Sequence, residues 1–393
     1  MKKVFLFSLF LVLGLVLSQC LPVWLGEAFL TAEKVAKTLM FVCLAFIMIN
    51  VGREFELDKT KWRSYAADYF IAMATAAVPW IMVAFYYMFL LPADLFGNWD
   101  AWKENLLLSR FAAPTSAGIL FTMLAAAGLR REWIYKKTQV LAIFDDLDTI
   151  LLMIPLQIFM IGFKWQLFAV VIVITFLLVI GWKKLGTIRL SQTWKSILFY
   201  AVCIVAVTES IYLLTKWMMG ADGAIHIEVL LPAFVLGMVM KTVHQHGNRD
   251  EKITGMISYL FMFLVGLSTP QSIGIDHGHR ITEAVGIIAA QPMPSWEVLI
   301  VHVIVVTLLS NLGKMFPLFF YRDRQLEERL ALSVGMFTRG EVGAGIIVIA
   351  MGYNLGGPAL IISVLSLVLN LLLTGGFVVI VKRLAQQAYG LKE

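Results

Sequence analysis

The sequence predicts an all-α membrane protein of about twelve transmembrane helices, and three observations carry that prediction. The first is composition: 60% of the 393 residues are hydrophobic and 15% are charged, where a soluble domain carries about 45–50% and about 25%. The second is length, since each apolar run is close to the roughly 20 residues a helix needs to cross about 30 Å of hydrocarbon. The third is alternation. Every second loop is basic, at 53–63, 130–137, 183–195, 241–252, 322–329 and in the Lys382-Arg383 tail, while the others are short or nearly neutral. About 23 of the 32 Lys and Arg residues then share one side, which the positive-inside bias assigns to the cytoplasm. Both termini are expected there. No stretch outside the helices is long enough for a soluble domain, so 1–393 reads as a single transmembrane unit. The net charge of +6 is loop charge and calls for no nucleic acid. Cys20, Cys43 and Cys203 lie in apolar runs without a pairing pattern and read as small buried hydrophobes.

The predicted spans run approximately over 4–25, 36–52, 66–92, 105–127, 138–163, 165–182, 195–218, 225–243, 253–269, 297–321, 329–353 and 357–381. The first follows Lys2-Lys3 and resembles a signal peptide, with a lipoprotein-like Ser18-Gln19-Cys20. Gln19 suits such a site badly and the run is long enough to span, so a retained helix is the favoured reading. The third span is plain. The fourth carries Arg110-Phe111-Ala112-Ala113-Pro114-Thr115-Ser116-Ala117-Gly118. Pro114 removes a backbone donor, Thr115 and Ser116 offer hydroxyls beside it, and the result is either a broken helix around a cavity or an ordinary proline kink.

The fifth span holds Phe144-Asp145-Asp146-Leu147-Asp148-Thr149. One Asp at the centre of a membrane helix costs about 2.5–3.5 kcal/mol on insertion scales, so two or three cost on the order of 5–10 kcal/mol before compensation. The default reading of such a cluster is an ion or proton site facing a wet cavity. A buried structural pair, or an Asp close enough to a helix end to reach water, is the alternative. The tenth span ends Ser310-Asn311-Leu312-Gly313-Lys314-Met315-Phe316-Pro317. Lys314 either snorkels to the inner surface or neutralises one of the acids, since unpaired buried charge is costly. The eleventh span contains Gly335-Met336-Phe337-Thr338-Arg339-Gly340-Glu341-Val342-Gly343-Ala344-Gly345. Arg339 and Glu341 are two residues apart and face different partners, with Arg339 expected nearer the inner surface, and a structural role stands beside a functional one. Asp276-His277-Gly278-His279 in the outer connection 270–296, and His244 and His246 in an inner loop, read as solvated loop residues rather than metal ligands or pH sensors.

The order of these features is informative. The interrupted fourth and eleventh spans are an odd number of spans apart and so enter the membrane from opposite sides. Interrupted helices at matching places in inverted halves point to a transport site at the midplane.

Several motifs carry a family resemblance. Ala142-Ile143-Phe144-Asp145-Asp146-Leu147 resembles the double-aspartate signature of bacterial sodium/proton antiporters, and Leu312-Gly313-Lys314 resembles the Gly-Lys of their tenth helix. Thr338-Arg339-Gly340-Glu341-Val342-Gly343 resembles the Arg-Gly-Glu element of the cation:proton antiporter 2 family. Ile49-Asn50-Val51-Gly52-Arg53-Glu54-Phe55-Glu56-Leu57 looks like that family's second-helix ending, with Arg53 in place of the usual leucine. Phe261 to Gly266 resembles its Phe-x-x-x-Gly stretch. The resemblance covers almost the whole chain.

It implies inverted repeats with two crossed broken helices and alternating access by movement of a core. The core would be approximately 66–163 and 297–381, the linking helices 165–218, and the panel 4–52 and 225–269, which often mediates homodimers. It also implies that Asp146 is the main cation and proton site, Asp145 the partner of Lys314, and Thr115 a source of crossing-region oxygens. Pro114, Ser116, Arg339 and Glu341 would support the breaks. Ser116 stands where some members carry an acid, and Asp148 is a carboxylate beyond the pattern with no assigned role. The implied activity is exchange of Na⁺, or Li⁺, for H⁺ across a bacterial cytoplasmic membrane, with no cofactor and no metal beyond the transported ion. A K⁺/H⁺ exchanger with the same machinery is one competitor. A sodium/organic-anion symporter of related fold is another, but it would lack the Lys partner. An intramembrane aspartyl enzyme needs acids on two facing helices, whereas these adjoin on one.

Overall fold

The computed structural model describes residues 2–25, 28–53, 62–116, 129, 132–161, 172, 175–177, 179–181, 183–184, 186–219, 229–241, 248–268, 286–353 and 355–390. Its α-helices in chain order are α1 (Lys2–Leu25), α2 (Ala28–Arg53), α3 (Trp62–Leu90), α4 (Trp99–Ser109), α5 (Trp133–Ile161), α6 (Trp194–Met219), α7 (Leu230–Val239), α8 (Asn248–Leu267), α9 (Trp296–Gly313), α10 (Leu326–Gly335), α11 (Glu341–Gly352) and α12 (Gly357–Tyr389). Among the described residues no strand forms, and the only extended pairing is a single parallel bridge between Ile188 and Met240. Five helical stretches, Thr31–Arg53, Ala66–Leu90, Trp194–Trp217, Trp296–Phe319 and Gly357–Tyr389, are long and apolar enough to cross a membrane. Helices α3, α4, α5, α6 and α9 each begin on a Trp. Such rings favour the water–lipid interface, where an apolar body and a polar N–H both find their medium. Exposed apolar side chains on α6, among them Phe199, Val207, Leu213 and Trp217, suit contact with lipid.

Among the described residues the helices do not correspond one to one with the expected spans. The sixth predicted span lies mostly outside the described residues. The eleventh is two half-helices, α10 and α11, and the described part of the fourth is the half-helix α4, a 3₁₀ turn at Arg110–Ala112 and irregular chain to Ser116. The tenth is shorter than its apolar run. Helix α9 stops at Gly313, Lys314 is its C-cap, and Phe316–Phe319 form a 3₁₀ turn. A Cβ at Gly313 would sit 2.5 Å from Pro79 Cα, so the α3 and α9 backbones touch there, and Pro317 cannot continue a helix.

Packing follows the inverted repeat. Helix α1 packs chiefly along α8, and α2 along α7. Under the offset that relates the two broken spans, the first span matches the eighth (α7) and the second matches the ninth (α8). One contact therefore maps onto the other. Both are built the same way. A Cβ at Gly14 would fall on the Phe263 carbonyl and one at Gly266 on that of Leu11, while Gly52 lies on the Phe234 carbonyl and Gly237 on that of Ile49. Small residues let membrane helices approach to backbone contact, where close packing replaces the absent hydrophobic drive. Likewise α3 against α5 maps onto α9 against α12, and α3 against α9 maps onto itself at Pro79–Gly313.

Candidate functional site

The site is assembled where the two broken spans meet. After α4, Arg110–Ala112 tighten into a 3₁₀ turn closed by the Ala113 N–H on the Arg110 carbonyl at 3.0 Å, and Pro114–Ser116 run on irregularly. Pro114 has no N–H to lose there. The facing break is 336–340, between α10 and α11. The two breaks satisfy each other: Ser116 N–H donates to the Thr338 carbonyl at 2.9 Å, the Thr115 hydroxyl to the Met336 carbonyl at 3.2 Å, and the Thr338 hydroxyl lies 3.4 Å from the Ser116 carbonyl. Thr115, Ser116 and Thr338 are buried. Backbone freed from a helix in the membrane must find such partners inside protein. The crossed pair expected from the sequence is therefore present, and the plain proline kink is not what forms.

Helix α5 brings three carboxylates into this interior, Asp145 and Asp146 at 0% exposure and Asp148 at 2%. Lys314 Nζ donates to both oxygens of Asp145, at 2.9 and 2.8 Å, with both side chains fully buried. Lys314 thus neutralises an acid, and the snorkelling alternative falls. The early end of α9 is what places it. Asp146, one residue along, lies within electrostatic reach of the same ammonium. Arg339 is 1% exposed, with its side chain inside the protein. Its guanidinium donates to the Met336 and Ser310 carbonyls, both at 3.1 Å, so it ties the α10 end of one break to α9. Glu341 opens α11, and its side chain is outside the described residues.

These comparisons of geometry agree with comparisons to known proteins. The family described as the transmembrane sodium/hydrogen exchanger matches residues 2–384. The chain belongs to the sodium/hydrogen exchanger family. The sodium proton antiporter MjNhaP1 from Methanocaldococcus jannaschii is similar in structure over 94% of this chain and 92% of its own, with a TM-score of 0.57 and 13% identity. At that identity the likeness shows a common fold. No curated protein matches the sequence. The exchanger is accordingly a monovalent cation:proton antiporter, a transporter and not an enzyme.

Two features of the exchanger's interior escaped sequence reading. Asp148 has a partner: Arg110 Nη2 donates to its Oδ2 at 3.3 Å and to its carbonyl at 3.0 Å, with exposures of 0% and 3%. The guanidinium also lies 4.4 Å over the Trp80 ring. The available signal was charge balance, since three buried acids call for more than one cation and Arg110 stood unused in the fourth span. The second feature is a polar seam between α9 and α12. Thr307 bonds Ser366 at 2.8 Å, Asn370 donates to Asn311 at 3.1 Å, and Tyr87 on α3 bonds Ser363 at 2.7 Å. Thr307, Asn311 and Lys314 recur at four and three residues, so one face of α9 presents them. Serines and an asparagine in a lipid-length apolar helix were the only trace of it.

At the basic-loop end, Asp68 accepts from Lys137 at 2.9 Å and from the Tyr321 hydroxyl at 2.8 Å. Tyr389 donates to Glu328 at 2.6 Å. These contacts join the ends of α3, α5, α10 and α12. Among the described residues no group of His, Cys, Asp and Glu is arranged to hold a metal ion. His244, His246, His277 and His279 fall outside the described residues.

Proposed function

We propose that this exchanger moves Na⁺ in one direction and H⁺ in the other, with Asp146 as the exchanging carboxylate, Asp145 held by Lys314, and Thr115 among the oxygens of the crossing. The observation that carries this reading is the wholly buried Asp145–Lys314 pair beside the crossed breaks. A carboxylate at that depth is tolerated only when a cation or a proton compensates it. Lys314 holds both oxygens of Asp145, and Asp146, equally buried and within reach of the same ammonium, is the acid we assign to exchange. Na⁺ and H⁺ then compete for the same oxygens, and a site that crosses loaded with one or the other exchanges them without covalent chemistry. Because the acids adjoin, their protonation belongs to the cluster rather than to one residue.

The same reading places α3–α5 and α9–α12 in a moving core and α1, α2, α7 and α8 in a panel that pairs two copies of the chain. The glycine crossings within α1·α8 and α2·α7 support a stiff panel. It also places the chain in a bacterial cytoplasmic membrane with the basic loops and both termini inside.

Everted vesicles that carry the exchanger and an acid-sensing dye should regain fluorescence on addition of Na⁺, and the Asp146→Asn variant should not. Exchange by that variant would overturn the site. A response to K⁺ but not to Na⁺ or Li⁺ would leave the site standing and replace the sodium assignment with the potassium one.

A further inference from the structure

Asp145 and Asp148 are three residues apart on α5 and so share one side of the helix, while Asp146 lies about 100° round from Asp145. The shared side is met by two cations. Lys314 takes Asp145 at 2.8 Å and Arg110 takes Asp148 at 3.3 Å. Each cation is also within electrostatic reach of the other's acid. The four groups make an alternating, charge-neutral quartet with exposures of 3% or less. Arg110 has a second attachment, since Nη2 also bonds the Asp148 main chain at 3.0 Å, and Trp80 covers its guanidinium face. The Trp80 indole in turn donates to the Leu106 carbonyl of α4 at 2.7 Å. Arg110 is the first residue beyond α4, so this clamp fixes the start of the unwound segment that carries Pro114, Thr115 and Ser116.

We propose that Arg110 is a positioning residue for exchange. By cancelling the charge of Asp148 and holding the unwound end of the fourth span against α5, it sets the field that the transported ion meets at Asp146. The inference rests on the reading of Asp146 as the exchanging carboxylate. Its consequence is electrostatic and has a sign. Loss of Asp148 alone leaves a buried guanidinium that repels the incoming cation. Loss of Arg110 alone leaves a buried carboxylate that attracts it. A unit charge roughly 10 Å away at an intermediate dielectric changes cation binding about tenfold.

The test uses the full chain in proteoliposomes, with Na⁺-driven proton movement measured for the wild type, Asp146→Asn, Asp148→Asn, Arg110→Gln and the double variant Arg110→Gln/Asp148→Asn. The expected result is a KM for Na⁺ raised about tenfold in Asp148→Asn, lowered in Arg110→Gln, and restored toward wild type in the double variant. A purely structural role would instead lower the rate of both singles and leave KM alone, and that outcome overturns the proposal. A single variant that fails to fold leaves the double to decide. The double removes both charges and so leaves none uncompensated; it must fold and exchange with a near-normal KM, at a lowered rate because the clamp on the unwound segment is gone. A double variant that misfolds, or is worse than either single, also overturns the proposal. Exchange by Asp146→Asn would sink the reading beneath it, whereas a dead Asp146→Asn with no opposed shifts would sink this inference alone.

Discussion

The helices α1, α2, α7 and α8 and the crossing of the fourth and eleventh spans answer the same requirement in opposite ways. Both must hold helices together where lipid supplies no hydrophobic drive. The first group does so with glycine: Gly14 against Gly266 and Gly52 against Gly237 bring backbones into contact. The crossing does so with charge and broken backbone, through Lys314–Asp145, Arg110–Asp148, Arg339 on two carbonyls, and Ser116 bonded to Thr338. A glycine contact has one favourable state. An ion pair beside a third carboxylate has several, because protons and cations can be traded. The stiff region needs no chemistry, and the chemical region cannot be built from close packing alone.

Substitutions can break or sharpen this contrast. The largest expected effect is Asp146→Ala, which should take exchange to background while leaving the detergent-solubilised protein monodisperse with a near-normal melting temperature. Next comes Lys314→Met, which strands Asp145 and should cost about 3–5 kcal/mol of stability, read as a fall in melting temperature. Adding Asp145→Leu should recover much of that loss without recovering transport. In the glycine region the signature reverses. Gly266→Val drives a side chain onto the Leu11 carbonyl and should cost roughly 1–3 kcal/mol, yet exchange per folded molecule should stay close to wild type. A Gly266 variant that folds normally would show that the backbones do not touch. Thr115→Val removes one hydroxyl from the Met336 carbonyl and should cost about 1 kcal/mol, with a several-fold weaker apparent affinity for Na⁺. The smallest effect belongs to Tyr321→Phe. Asp68 loses one donor but keeps Lys137, for about 0.5–1.5 kcal/mol and little change in transport.

What the sequence disclosed, and what it hid, follows the strength of each physical signal. An isolated lysine and a run of acids in apolar sequence announce themselves, because each is expensive until matched, and so Lys314–Asp145 was legible. The crossed breaks were legible from Pro114, the glycines of 335–345 and the parity of their spacing. The match between Arg110 and Asp148 was not, since choosing which acid an arginine meets requires knowing that α4 ends at Ser109 and how its end lies against α5. Asn311 and Asn370 were hidden for a different reason: uncharged amides cost little enough to pass as ordinary helix residues. The glycine crossings were equally silent, because a glycine in an apolar run looks the same whether it faces lipid or a neighbouring backbone. The end of α9 at Gly313 depended on Pro79, far away in the chain.

The inverted pairing of α1 with α8 and of α7 with α2 has a consequence for how such a molecule opens. Two halves of like build, threaded in opposite senses, need not be in the same posture at the same moment. Whatever posture one half holds, the other is built to hold too. If the halves trade postures, access to the crossing passes from one face of the membrane to the other, and a single polypeptide then carries both end points without any part devoted to reversal.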